Sequence, residues 1–136
     1  MIEVEVFGVG LAPGSPPIGE VTRLCELAGE SRGVSDGHVA VEYVSSSRIS
    51  ELNERHRGKA GPTDVLSFPI DGAEPLDDAS APGQRELGDI VICPAHTADL
   101  REAIVHGMLH LLGMDHETDD GEMLALQDQL LEEAGQ

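Results

Sequence analysis

Aromatic residues, cysteines and basic residues are all scarce in this 136-residue sequence. Phe, Trp and Tyr make up 2% of it, so a core built from its 40% of hydrophobic residues must be largely aliphatic. The two cysteines, Cys25 and Cys93, are too few and too far apart for a disulfide framework, and we expect buried thiols. Eight Lys and Arg against 26 Asp and Glu give a formal net charge of −18, which disfavours non-specific binding to nucleic acids and anionic membranes.

Long apolar runs and a recognisable targeting segment are also missing. No apolar stretch approaches the roughly 18 to 20 residues that span a bilayer. The start, MIEVEVFGVG, has neither the basic residues nor the cleavage site of a signal peptide, so we expect a cytoplasmic protein with no membrane partner. Because the length suits one domain and no repeat or linker divides the chain, we predict a single domain over residues 1–136.

The hydrophobic pattern predicts strands and helices in irregular order. Short alternating or continuous apolar runs predict four strands, at residues 2–7, 38–44, 64–70 and 88–93. Apolar residues at helical spacing predict four helices, at residues 20–30, 45–58, 94–112 and 118–135. The Asp-, Pro-, Ala- and Gly-rich residues 71–87 are expected to form an exposed loop. This mixture indicates the α+β class.

Finer features of the last two helices follow from single residues. Pro94 is expected in the first turn of the third helix, and Gly113 is expected to end it. Asp119 and Glu122 form a candidate capping pair for the last helix. That helix is expected to turn four apolar residues inward: Met123, Leu124, Leu130 and Leu131.

The stretch VHGMLHLLGMDH, residues 105–116, contains three histidines. On a helix, His106 and His110 lie one turn apart on one face, where two imidazoles can share a metal ion. Gly113 can adopt a left-handed conformation that returns the chain toward this pair, with His116 following. The spacing predicts a metal site of three nitrogen ligands with open positions, which is typical of catalytic zinc. The pair Cys93 and His96, spaced C-x-x-H, is a much weaker metal-binding signal.

The same spacing occurs in zinc proteases, whose extended signature is H-E-x-x-H-x-x-G-x-x-H. Here Gly107 stands in place of the protease glutamate, which is the general base in peptide hydrolysis. Proteolysis by that route is therefore disfavoured, while the metal chemistry remains. A phosphodiester is a suitable target, because a metal and an arginine can share the charge of its transition state.

Three segments of the sequence resemble the motifs of the YbeY-type endoribonucleases. HGMLHLLGMDH resembles the family's histidine signature, and LNERHRGKAGPTDVLSFP (residues 52–69) and LGDIVI (residues 87–92) agree in the same order. The resemblance implies an α+β, zincin-like metallohydrolase domain, with a mixed four-stranded sheet packed with helices and a metal site at the end of a central helix. It also implies a zinc-dependent, single-strand-specific endoribonuclease. The family acts in rRNA maturation, at the 3′ end of small-subunit 16S rRNA, and in ribosome quality control.

The resemblance also implies roles for particular residues. His106, His110 and His116 would bind one Zn²⁺ per chain, and Arg57 falls at a functionally important arginine of the family. We hypothesise that Arg57 stabilises the charge that develops on the phosphate. Arg55 and Lys59 are candidate RNA-backbone contacts. The implied partners are single-stranded or ribosomal RNA and the ribosome or small-subunit proteins, without membrane or DNA.

Other interpretations of the same residues stay open at this point. An arginine near a helix end is favourable to the helix dipole without any catalytic role. Asp115 could orient a ligand or simply cap a turn. The chain could be a metallopeptidase-like hydrolase with another carboxylate as base, or a non-enzymatic ribosome-assembly protein with a structural zinc. The acidity also requires RNA selectivity to come from a basic patch or a ribosomal partner.

Overall fold

The computed structural model describes residues 1–71 and 85–135 and confirms the α+β class. The four strands are β1 (Ile2–Phe7), β2 (Gly37–Tyr43), β3 (Val65–Pro69) and β4 (Glu86–Ile92). The four helices are α1 (Ile18–Ser31), α2 (Ser46–Arg57), α3 (Leu100–Leu111) and α4 (Glu122–Ala134). Most of the loop predicted at residues 71–87 lies outside the described residues. No helix in the described ranges has the length and apolar character needed to cross a membrane.

The strands form one mixed sheet in the order β1-β2-β4-β3, as the resemblance implies. β1, β2 and β4 are parallel, and β3 pairs antiparallel with β4 at one edge. The register places Val65 opposite Ile92 and Ser67 opposite Ile90. Pro69 ends β3, where a residue without a backbone N–H is tolerated because the strand is at the edge.

The main core lies between one face of the sheet and helices α1, α3 and α4. It is aliphatic, as the composition predicts, and includes Leu24, Ile90, Ile104, Met108 and Met123. Both cysteines are free and buried, which confirms their prediction as core thiols. Burial raises the pKa of the Cys25 thiol to about 12, so it is un-ionised and inert at neutral pH.

Helix α2 covers the opposite face of the sheet beside β3 and β4. A second apolar cluster joins Ile49 and Leu52 of α2 to Leu66 of β3 and Val91 of β4. Ser45 caps the helix N-terminus by accepting a hydrogen bond from the Arg48 N–H, as the serine-rich start predicts. α2 and α3 therefore lie on opposite faces, with the edge strand β3 between their ends.

Two predictions for the last helices are wrong. Pro94 begins only a 3₁₀ turn, Pro94–His96, and α3 starts later at Leu100. The carboxylate of Asp99 accepts hydrogen bonds from the first N–H groups of α3, and this cap sets the start. In α4, Leu124 is 44% exposed rather than inward. The inward position is taken by Gln127, which is buried.

Candidate metal centre

The C-terminal half of α3 and the turn after it bring the three histidines together. His106 and His110 lie on one face of α3, with ring centroids 4.7 Å apart. Gly113, at φ 94°, ends the helix as predicted. The Gly113 N–H donates to the His110 carbonyl and the Met114 N–H to the Leu109 carbonyl, both at 3.0 Å, which is a Schellman motif. This motif reverses the chain and returns it toward the helix.

Hydrogen bonds at Nδ1 determine which nitrogen each helical histidine presents. His106 Nδ1 donates to the Gln127 side-chain oxygen at 2.8 Å, and His110 Nδ1 donates to the Met114 carbonyl at 2.9 Å. With its proton on Nδ1, each neutral imidazole keeps its lone pair on Nε2. The two Nε2 atoms lie 3.1 Å apart, so their lone pairs face each other. A cation bound to both nitrogens would remove the repulsion between these lone pairs.

His116 completes the cluster from the returning chain. Its ring centroid lies 5.0 Å from that of His106 and 5.3 Å from that of His110. One ligand nitrogen from each histidine lies within 4.8 Å of the others, and all three residues are half-buried. His116 Nδ1 is buried without a hydrogen-bond partner among the described residues. A convergent set of three imidazole nitrogens, one of them buried without a described partner, fits a divalent transition metal.

The surroundings of His110 favour its neutral imidazole form. The pKa of His110 is lowered, first by burial and then by the nearby His106 and His116. Its hydrogen bond to the Met114 carbonyl and the nearby Asp115 act in the opposite direction but do not outweigh these effects. Neutral imidazole is the form that binds a metal, so the lowered pKa of His110 favours metal binding there.

Gly107 lies on the sheet side of α3 and packs against Ile90 of β4. A Cβ added there would lie 2.5 Å from Ile90 Cγ2, well inside van der Waals contact. The Ser67 hydroxyl donates to the Gly107 carbonyl at 3.1 Å and joins α3 to the edge strand. No carboxylate fits at position 107 in this packing, which strengthens the argument against the protease mechanism.

A cleft of about 800 Å³ runs along the edge strand and contains the histidine cluster. Arg57, at the last turn of α2, lines the same cleft, so the structure brings it to the side of the candidate metal ligands. It forms no hydrogen bond or ion pair with another described residue. Arg55 and Lys59 are not among the described residues that line the cleft. Arg55 instead contacts Glu51, 3.4 Å away, on the surface of α2.

Other residues have roles that the sequence left open or missed. The Asp115 carboxylate accepts the Glu117 N–H at 2.9 Å, so it caps the turn, while the Met114 carbonyl orients His110. Gln127 was missed because it is 21 residues from His106 in the chain. The only sequence signal for it is a polar residue at the helical spacing of Met123 and Leu130, both buried.

The chain is similar in sequence to a family of known proteins. A family model described as Endoribonuclease YbeY matches residues 19–135. A protein named Endoribonuclease YbeY from Mycolicibacterium paratuberculosis is 44% identical over 111 residues, covering 70% of this chain and 63% of that protein. One of the same name from Rhodococcus opacus is 42% identical over 118 residues, covering 72% of this chain and 66% of the relative. The chain thus spans just under two thirds of the length of these relatives.

The fold is similar to a solved structure as well. The solution structure of a Thermotoga maritima protein matches with a TM-score of 0.57 and 29% sequence identity. The match covers 96% of this chain and 88% of the other. The likeness in fold therefore extends over nearly the whole chain, whereas the family model begins at residue 19.

Proposed function

The chain belongs to the endoribonuclease YbeY family, and on this basis we propose that it is a metal-dependent endoribonuclease that cleaves single-stranded RNA. The observation that carries the proposal is one cleft lined both by three convergent imidazoles and by a guanidinium that has no partner among the described residues. The mixed sheet and the histidine cluster at the end of α3 fit the zincin-like fold of this family. We propose a single metallohydrolase domain over residues 1–136.

His106, His110 and His116 would hold the metal, and we propose one Zn²⁺ per chain because three nitrogen ligands with open positions are typical of catalytic zinc. When bound, such an ion supplies Lewis acidity at a phosphodiester. The protein's own part is to fix the ligands. Gln127 and the Met114 carbonyl hold the Nδ1 protons of two histidines, so that both Nε2 lone pairs point into the cleft.

Arg57 is the proposed charge-stabilising residue. Its guanidinium lines the cleft and has no partner among the described residues. Two of its N–H groups can therefore donate to two oxygens of one phosphate. Stabilisation of this kind acts on charge that develops in the transition state. Arg55 and Lys59 lie outside the cleft lining and would contact the RNA backbone farther from the scissile bond. Substituting either of them should therefore reduce cleavage less than substituting Arg57.

The family resemblance supports a ribosomal substrate. We propose that the chain acts in rRNA maturation at the 3′ end of 16S rRNA and in ribosome quality control, with small-subunit proteins as partners and a cytoplasmic location. A ribosomal partner would also compensate for the repulsion between this acidic protein and RNA. A protein with a net charge of −18 has weak general affinity for RNA, so a docked partner would raise the local concentration of the strand at the cleft without being required for cleavage of a short oligoribonucleotide.

Metal content and RNA cleavage, measured together on the wild type and on His110→Ala, test the proposal. We expect about one zinc per wild-type chain with cleavage of a single-stranded oligoribonucleotide, and loss of both in the variant. His96→Ala is the matched control, because His96 is an exposed histidine outside the described cleft lining, and no third metal ligand joins it and Cys93 among the described residues. It should keep both properties.

Arg57→Ala separates chemistry from metal binding. It should retain the zinc and lose on the order of 100-fold or more in kcat, as the removal of a transition-state charge partner does. Zinc lost in His110→Ala with cleavage retained would make the metal structural. Zinc bound in the wild type with no RNA cleavage under any condition would overturn the proposed activity.

A further inference from the structure

A pair of rings lines the cleft next to Arg57 and takes no part in the function proposed so far. The imidazole of His56, on α2, meets the ring of Phe68, on β3, edge to face, with centroids 5.0 Å apart and planes at 69°. Phe68 is half-buried against the second apolar cluster, whereas His56 is exposed. An accessible ring therefore packs against a half-buried one at the wall of the cleft.

The end of α2 that carries His56 is anchored on the fold. Asn53 is buried, and its side-chain amide donates to the Gly61 carbonyl at 3.0 Å, which ties the helix to the loop that follows. Gly58, at φ 67°, ends the helix in the left-handed conformation, and its N–H donates to the Glu54 carbonyl. His56 and Arg57 are consecutive residues of this last turn, so a ligand can reach both at once.

The cleft has few positive charges, so RNA binding there needs a contribution that does not depend on charge. Among the described lining residues, Arg57 is the one Arg or Lys, against three carboxylates, of Asp64, Asp115 and Glu117. Phosphate contacts alone would therefore give little affinity, even with a divalent metal in place. Stacking of a base on a ring is nearly independent of charge and of base identity, because every base has a π face.

We propose that His56, braced by Phe68, is a stacking platform for the nucleobase next to the scissile phosphate. This inference rests on the proposed function, because it assumes that the phosphate lies between Arg57 and the histidine cluster. A base in a duplex is already stacked and paired, so only an unpaired nucleotide can turn onto this platform while its phosphate enters the cleft. The platform would thus be a specificity-determining element that selects single-stranded RNA.

Abasic substitution combined with mutation tests the platform. A single-stranded oligoribonucleotide is made non-cleavable by 2′-O-methyl groups, and one nucleotide at a time is replaced by an abasic unit. Binding to the zinc-loaded wild type should weaken on the order of tenfold when one particular base is missing. In His56→Ala, the intact oligonucleotide should bind as weakly as the abasic one, and the abasic penalty should vanish. His56→Tyr should restore both the affinity and the penalty.

His96→Ala serves as the control for a histidine outside the described lining, and it should keep the abasic penalty. Phe68→Leu keeps an apolar side chain in the second cluster but removes the bracing ring, so it should reduce the penalty with intact folding. Equal affinity and an unchanged penalty in His56→Ala would overturn the platform. So would an affinity loss that is the same for intact and abasic RNA, because it would indicate a general contact.

Failure of the platform can be told apart from failure of the proposed function. If the wild type cleaves RNA and His56→Ala shows an unchanged KM and penalty, the platform is wrong and the endoribonuclease stands. If the wild type binds RNA with a His56-dependent base penalty yet never cleaves it, the platform stands and the proposed chemistry is wrong. An absence of any RNA binding by the zinc-loaded protein would overturn both.

Discussion

Gln127 connects the last helix to the candidate metal centre. Its buried side-chain oxygen accepts the Nδ1 proton of His106 at 2.8 Å and so leaves the lone pair of Nε2 for a metal. Gln127→Leu should weaken zinc affinity about 10- to 100-fold, the usual cost of removing such a partner. Competition with a chromophoric chelator measures the change. Gln129→Leu, on the same helix but paired with Glu133 at the surface, should bind zinc as the wild type does. Equal affinities in the two variants would show that Gln127 does not orient His106.

The glycine at position 107 reflects packing. A Cβ there would lie 2.5 Å from Ile90 Cγ2, so Gly107→Ala should destabilise the fold by about 1 to 3 kcal/mol, although alanine favours helices. Gly19→Ala is the matched control, because Gly19 is also helical and no atom lies within 4 Å of its added Cβ. It should leave stability unchanged or raise it. Urea unfolding of both variants measures this, and a stabilised Gly107→Ala would contradict the packing argument.

His38 links three strands through two carboxylates. Its Nδ1 lies 2.6 Å from Glu86 Oε1 and its Nε2 lies 2.7 Å from Glu5 Oε1, so both nitrogens donate only when the ring is protonated. The hydrogen bond with Glu86, and then that with Glu5, raise the pKa of His38 above its ordinary value of 6.5, although partial burial opposes them. Because the folded-state pKa is the higher one, this contribution to stability is full below pH 6.5 and is lost as pH rises through the folded-state pKa.

The difference between wild type and His38→Gln isolates this contribution from the other titrating groups. Wild type should be the more stable of the two at about pH 5.5, and the gap in free energy of unfolding should shrink by about pH 8.5. Urea unfolding across that range measures the gap. A gap that widens with pH would mean that His38 is neutral in the folded protein.

At the scale of the elements, local signals locate the four strands and four α-helices of the described residues, and tertiary contacts decide their exact bounds and faces. Alternating or continuous apolar runs predict the strands to within about two residues, and Gly58 and Gly113 end their helices as expected. The start of α3 was misplaced because a proline suits a 3₁₀ turn as well as an α-helix, and the Asp99 cap was the stronger signal. The prediction for Leu124 is wrong because it assumes that the inward face of α4 is apolar throughout. Gln127 occupies that face instead, and Leu124 faces solvent. Helical spacing places Gln127 on the same inward face as Met123 and Leu130, and the hydrogen bond with His106 satisfies its buried side chain.

The Asp99 cap gives a prediction for α3 as a unit. Asp99 accepts the N–H groups of Arg101 and Glu102, at 3.0 and 3.3 Å, so Asp99→Ala should lower the free energy of unfolding by about 1 kcal/mol. Asp99→Ser should retain most of the stability, since serine also caps helices. Zinc affinity should be unchanged in both variants, because the histidines lie in the other half of α3. A stability loss of equal size in Asp99→Ser would assign the effect to charge and not to capping.

At the scale of the molecule, the candidate site depends on how two helices meet an edge strand. The histidine spacing was readable because it is local, but the approach of Arg57 was not. Arg57 reaches the cleft only because α2 and α3 pack on opposite faces and both end beside β3. The family resemblance anticipated this arrangement, whereas periodicity and composition contain no information about it.

The acidity of the whole chain gives a final prediction. With a formal net charge of −18, the folded protein is opposed by its own repulsion, which salt screens over a Debye length that falls from about 10 Å at 0.1 M to about 3 Å at 1 M. Raising NaCl across this range should therefore raise the Tm. The measurement belongs on His110→Ala as well as wild type, so that salt effects on metal binding are excluded. The exposed ion pairs, such as Arg48 with Glu51 at 3.1 Å, weaken with salt but contribute little. A Tm that falls with NaCl in both proteins would mean that such pairs, and not net repulsion, dominate the electrostatics of folding.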